Sequence, residues 1–267
     1  MTTETVDFET AWQEWRAQRE ARLRDPHGFL AITGLHWLSD EPQRFDDVPG
    51  AWHAGPDGVV VTLGPDEELA ADGTPVTGTH VIGPVDTAGV TGTFGDAVVE
   101  IADRFGTPVL RPRHPDAPTL RRYAGTPAYD PDPRWALTAR FEAYDEPRPL
   151  PVGSVIEGME TVYAAVGEVS FDLPAHAGGA PQRLVAFDGG DDGSLWLLFT
   201  DETSGVTTYA ALRQLAVPSP DEDGTAVLDF NRAANMPCAY TDFATCPLPP
   251  RGNHVAAAVE AGERKVR

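Results

Sequence analysis

WALTARFEAY, residues 135–144, alternates apolar and polar positions, with Trp135, Leu137, Ala139 and Phe141 on one side and Thr138, Arg140 and Glu142 on the other. A period of two is the mark of a β-strand with one buried and one wet face. Downstream, RLVAF (183–187) and SLWLLF (194–199) flank the turn sequence DGGDDG, and VTTYAAL (206–212) follows the turn TDETSG. These runs predict a meander of three strands, and TAVLDF (225–230), after DEDG, predicts a fourth. No strand–helix–strand alternation occurs, which disfavours a parallel α/β sheet.

Upstream of this region the pattern is shorter in wavelength. GVVVTL, ADGTPVTG, AVVEIADRF and TPVLR follow one another between residues 58 and 111, separated by Pro and Gly clusters, and predict a small antiparallel module over 41–115. Residues 7–24 predict an amphipathic helix, because Phe8, Trp12, Trp15, Arg19 and Leu23 recur at intervals of three and four. Pro26 ends it by moving Asp25 out of the helical region. HGFLAITGLHWL (27–38) is apolar but broken by Gly28 and Gly34, and reads as a buried hook whose His27 and His36 are boundary residues. The expected fold is mainly β in three parts: helix and hook over 1–40, the small β-sandwich-like module over 41–115, and a larger antiparallel barrel or sandwich over 116–267. Pro247, Pro249 and Pro250 make the last segment stiff and extended, suited to lying across a barrel surface or mouth.

At 267 residues the chain can bury a core without metals or disulfides. With 41 acidic against 20 basic residues the net charge is -21, a field that repels nucleic acid and anionic lipid. No apolar run approaches the roughly eighteen residues needed to span a bilayer. The N-terminal MTTETVDFETAWQEW lacks the basic start and apolar stretch of a secretory signal, and the two cysteines are sparse usage, so a soluble, cytoplasmic protein is expected.

Several strings together resemble the bacterial domain-of-unknown-function family sixteen-eighty-four: GFLAITGLHWL (28–38), DETSGVTTYAALRQL (201–215), LDFNRAANMPCAYTDFATCPLPPRGN (228–253) and EAGE (260–263). The likeness extends over nearly the full chain and implies a structural unit without an agreed reaction. Family members usually carry an aspartate after the arginine of the segment matching Arg113-His114-Pro115; here His114 stands in that place, so no role for an Arg-Asp pair carries over. A weaker likeness, of QRFDD, DGVVVTL and ADGTPVTG to forkhead-associated β-sandwiches, implies fold alone, since the residues that grip phosphothreonine in such domains have no counterpart here.

Chemistry-bearing side chains concentrate between Leu228 and Asn253. Asp229, Asn231, Arg232 and Asn235 place an acid, two amides and a guanidinium within seven residues, a set able to grip a polar ligand. The same residue types also close turns on their own backbone. Tyr209 and Arg213, four apart on the expected strand VTTYAALR, project to one face, where a buried Arg213 would need a partner, with Asp229 the economical choice. With Tyr240 these residues form the expected ligand-binding set. Cys238, Cys246 and His254, each eight apart, are a ligand set zinc would accept, although zinc cysteines ordinarily stand about two to four apart, and buried inert cysteines are the simpler reading. A disulfide between the two is sterically possible but not expected. No cofactor is implied. The reading is a small-molecule-binding protein, with catalysis left open; the alternatives are an interaction module using the 41–115 sandwich and a metal-dependent hydrolase.

Overall fold

The structure is a computed structural model and describes residues 7–266. Its chain divides into two compact units, one comprising residues up to Glu20 together with 125–240 and 246–267, the other residues 21–124 with the short segment 241–245. These boundaries differ from a 1–40, 41–115, 116–267 division, because the N-terminal helix α1 (Phe8–Leu23) is shared between the units and the hook belongs to the second.

The unit of residues 21–124 is a two-sheet β module. Its strands are β1 (His36–Trp37), β2 (Gln43–Phe45), β3 (Val48–Gly55), β4 (Gly58–Thr62), β5 (Leu69–Ala71), β6 (Thr74–Val76), β7 (Thr79–Ile82), β8 (Val90–Phe94), β9 (Ala97–Arg104) and β10 (Thr107–Arg113). They form a six-stranded sheet in the order β1-β10-β9-β8-β5-β6 and a four-stranded sheet in the order β2-β3-β4-β7, all antiparallel. The core is built from the alternate inward residues of both sheets, Trp52, Val59, Val61, Val99, Ile101 and Leu110 among them. ADGTPVTG is not one strand: Asp72 and Gly73 both take positive φ and make the two-residue turn of the β5–β6 hairpin. In the hook, Leu30, Ala31 and Ile32 are buried and Phe29–Ala31 forms a 3₁₀ turn. His27 and His36 are occupied locally, by the Asp96 carbonyl at 2.8 Å and the Asp47 carboxylate at 2.7 Å.

The other unit is a curled sheet of β11 (Ala136–Gly153), β12 (Glu160–Asp172), β13 (Pro181–Asp188), β14 (Leu195–Asp201), β15 (Arg213–Val217) and β16 (Thr225–Asp229), in the order β15-β14-β13-β12-β11-β16, with β17 (His254–Val255) parallel to β14. The sheet is a half-barrel whose end strands β15 and β16 come back into contact. The alternation of residues 135–142 survives intact: Trp135, Leu137 and Ala139 are buried with Val169, Leu184, Leu197, Phe199 and Phe230, while Thr138, Arg140 and Glu142 face outward. The C-terminal proline-rich segment runs beside the β11–β12 hairpin, held by Leu248 N–H to the Gly153 carbonyl at 2.7 Å and a bridge between Ser154 and Pro247.

One expected strand is absent. VTTYAAL forms turns, and the third strand of the meander begins only at Arg213. The Asp201 carboxylate takes the Thr203 N–H at 2.7 Å and its hydroxyl at 2.6 Å, the Thr203 and Thr208 hydroxyls pair at 2.8 Å, and the Thr203 carbonyl accepts the amides of Val206, Thr207 and Thr208. Side-chain hydrogen bonding here outcompetes the β preference of valine and threonine. No helix among the described residues is long and apolar enough to cross a membrane.

Candidate functional site

Arg213 opens β15 opposite Phe199 on β14 and is only 1% exposed. Its partner is Asp201, not Asp229: Nη2 lies 2.8 Å from Asp201 Oδ2 and also donates to the Val259 carbonyl at 3.0 Å, while Nη1 donates to the carbonyls of Ala261 and, at 3.4 Å, Glu263. Register decides this: Phe199 stands opposite Arg213, so Asp201, two residues further along β14, points to the same face as the guanidinium. Asp229 instead serves its own turn, accepting Asn231 N–H at 3.2 Å and Nδ2 at 2.9 Å, with Arg232 Nε at 3.1 Å. Asn231 is also tied to the backbone of Asp132, by Nδ2 to its carbonyl and Oδ1 to its amide, at 2.9 and 2.8 Å.

Asn235 and Tyr240 converge on a carboxylate that the sequence reading passed over, Glu263, which is 0% exposed. Arg16 Nη1 and Arg19 Nε donate to its Oε1 at 3.0 and 3.1 Å; Asn235 N–H and the Tyr240 hydroxyl donate to Oε2 at 2.7 and 3.2 Å. The Tyr240 hydroxyl also meets Thr126 Oγ1 at 2.8 Å. Burial works against the Arg19 charge, but Glu263 and Tyr240 outweigh it and hold its pKa above the ordinary arginine value. Gly262 delivers the carboxylate to this position at φ +77, where a Cβ would stand 2.5 Å from the Ala233 carbonyl oxygen. Asn235 Nδ2 reaches the Arg264 carbonyl at 2.8 Å, while Oδ1 is buried without a protein partner.

Tyr209, displaced from the strand, meets Cys238. The Cys238 thiol is drawn below its ordinary pKa chiefly by a hydrogen bond from Cys246; burial opposes this, and Tyr209 and the amides of Cys238 and Ala239 add to it. The expected ligand set thus falls into separate groups: Asp229 hydrogen-bonded to Asn231 and ion-paired with Arg232, Asn235 and Tyr240 on Glu263, Arg213 on Asp201, and Tyr209 at the cysteines. The zinc set does not assemble. His254 Nδ1 faces Thr200 Oγ1 at 3.0 Å and Nε2 faces Glu202 at 3.2 Å, and no cluster of three or more His, Cys, Asp or Glu able to hold a metal occurs among the described residues.

The outward face of the half-barrel carries a groove of about 380 Å³ lined by Thr138, Arg140, Ser170, Asp172, Gln182 and Thr225, with neighbouring backbone. Register explains the lining: Arg140 stands opposite Ser170 on β12 and Thr225 on β16, so one row of side chains crosses three strands. Gln182 is anchored, its Oε1 taking the Ala256 amide at 2.9 Å and its Nε2 donating to the Pro181 carbonyl at 2.8 Å. Among the described residues Arg140 makes no hydrogen bond or contact ion pair; its charge acts on the nearby Asp223 carboxylate, which the Thr225 amide and hydroxyl and then Arg140 hold below its ordinary pKa, and Ser170 Oγ is buried without a partner. Nothing in the sequence marks the groove beyond the wet face of WALTARFEAY, because it arises from pairing across strands. By contrast, Asp201 and Glu263 both lie within the family-like strings DETSG and EAGE, the one signal that could have found them.

No curated protein matches the chain. The solution NMR structure of an uncharacterized protein from gene locus rrnAC0354 of Haloarcula marismortui is similar at 31% identity, with 55% of this chain and 80% of that one covered and a TM-score of 0.45. The model of the family described as "Protein of unknown function (DUF1684)" matches residues 121–264, which include the half-barrel, Asp201, Arg213, Glu263 and both cysteines, and the chain belongs to that family.

Proposed function

We propose that this chain is a small-molecule-binding protein whose ligand, a small organic acid bearing a hydroxyl or ammonium group, lies in the groove over β11, β12, β13 and β16. The observation that carries the reading is Arg140, a guanidinium at the groove whose hydrogen-bonding fork no protein group fills, with the Asp223 carboxylate acting on it only through its charge. Its planar fork matches a carboxylate bidentately. Asp172 offers an acceptor for a donor group on the same ligand. A volume of about 380 Å³ suits a small molecule. The net charge of -21 opposes polyanions, which narrows the class to acids of low charge. In this reading Arg213, Asp229, Asn231, Asn235 and Tyr240 hold the frame, and catalysis is not required.

Titration of ¹⁵N-labelled protein with lactate, glycerate and serine tests the proposal. Saturable amide shifts are expected at residues 138–140, 170–172 and 225, and Arg140→Gln should weaken them by about tenfold or more, equivalent to ~1.4 kcal/mol, without lowering the melting temperature. Shifts spread over the surface, or unchanged by Arg140→Gln, overturn it.

A further inference from the structure

The two cysteines lie eight positions apart, at either end of the segment 239–245, and both are 5% exposed. The fold brings them into contact: the Cys238 backbone N–H points at Cys246 Sγ over 3.3 Å, and the two thiols lie within hydrogen-bonding reach of each other. Around Cys238 stand two side-chain donors, the Cys246 thiol and the Tyr209 hydroxyl. An inert core cysteine sits among apolar groups that push its thiol up; these polar neighbours favour the thiolate. A thiolate beside a second thiol is the arrangement of a reactive pair, one sulfur attacking and the other resolving.

We propose that Cys238 and Cys246 are a redox-active dithiol that closes to an intramolecular disulfide by exchange with a small-molecule disulfide, Cys238 attacking and Cys246 resolving. In the first step the Cys238 thiolate attacks one sulfur of R–S–S–R, the S–S bond breaks, and R–S⁻ leaves and takes up a proton. The Cys246 thiol, giving up its proton, then attacks Cys238 Sγ in the mixed disulfide and expels the second R–S⁻. The second R–S⁻ takes the proton given up by Cys246; counted from the dithiol, the protein has lost two electrons and two protons, and the small disulfide has become two thiols. Tyr209 acts as a positioning residue, its hydroxyl stabilising the attacking thiolate. The product disulfide ties residues 239–245 into a closed loop, restraining the segment in the unfolded chain as well as the folded one.

The test uses the full-length protein, oxidised glutathione as the probe, and intact mass after alkylation in denaturant. Wild type is expected to lose both thiols together, with no retained glutathione and no cross-linked dimer. Cys246→Ser is expected to trap one glutathione on Cys238, and Cys238→Ser to react about tenfold more slowly or less. Tyr209→Phe should move the pH–rate profile of Cys238 upward, a displacement that mere packing loss would not produce. Retention of both thiols by folded wild type, under conditions in which the denatured protein oxidises, overturns the proposal without recourse to any variant. Equal adduct formation on both single-cysteine proteins overturns the assignment of roles.

Discussion

At the scale of single residues, the half-barrel unit is organised around two buried carboxylates whose charges are fully answered. Glu263 collects donors from two arginines, an amide and a phenol. Asp201 takes Arg213 Nη2 together with both polar groups of Thr203. Such arrangements contribute modestly as intact pairs, but removing one member strands the others in a dry setting. Glu263→Ala leaves Arg16 and Arg19 facing a void, and is expected to cost about 3–5 kcal/mol in denaturant unfolding. Arg140→Ala, on the outward face and without a hydrogen-bonded partner, is expected to change stability by less than about 0.5 kcal/mol. Similar costs for the two substitutions would show that Arg140 has a structural duty and would remove the argument for a free guanidinium in the groove.

At the scale of elements, the connection from β14 to β15 separates what the sequence carries locally from what only the fold decides. VTTYAAL has the composition of a strand, yet residues 203–212 turn because Asp201, Thr203 and Thr208 bind one another. Thr208→Val tests which influence governs the segment. A strand preference would make valine neutral or favourable, whereas loss of the hydroxyl pair is expected to destabilise by about 1 kcal/mol, read from the urea midpoint. Strands with one wet face, such as Ala136–Gly153, were readable because period two is written in adjacent residues. That Arg213, if buried, would require an anion was readable as well. The identity of that anion was not, since Asp201 and Asp229 each end a strand that touches β15, and only the pairing register of β14 with β15 chooses between them. Glu263 lay further out of reach: its arginines are more than 240 positions away in the chain, and no local pattern joins a helix near the N-terminus to a glycine-borne carboxylate near the C-terminus. The groove needed the register of Arg140 with Ser170 and Thr225, a relation between strands.

At the scale of the whole molecule, a charge of -21 sets two opposing trends against pH. Between neutrality and roughly pH 4.5, unpaired surface carboxylates begin to take up protons, which relieves self-repulsion and favours the compact state. Certain carboxylates resist, and Glu67 most clearly. Arg44 grips it through two bonds at 2.7 and 3.1 Å, the amides of Gly64 and Gly50 donate at 2.6 and 3.0 Å, and its pKa falls from 4.5 to about 2. Asp47 is likewise lowered: burial opposes this, but bonds from His36 and Thr33 prevail. A carboxylate held below its unfolded value adds stability that is complete above about pH 4.5. As the pH drops further the unfolded chain binds the proton first, so the contribution shrinks and is gone below about 2. The stability curve at low ionic strength should therefore rise gently from pH 7 toward about 5 and fall steeply below about 4. Added salt should flatten the first limb by screening and spare much of the second, whose bonds are made at contact distance. Calorimetric melting across this range at two salt concentrations measures both limbs, and Glu67→Gln should soften the acid fall while leaving the neutral limb in place. An acid limb unchanged by that substitution would assign the loss to other carboxylates and remove Glu67 from the account.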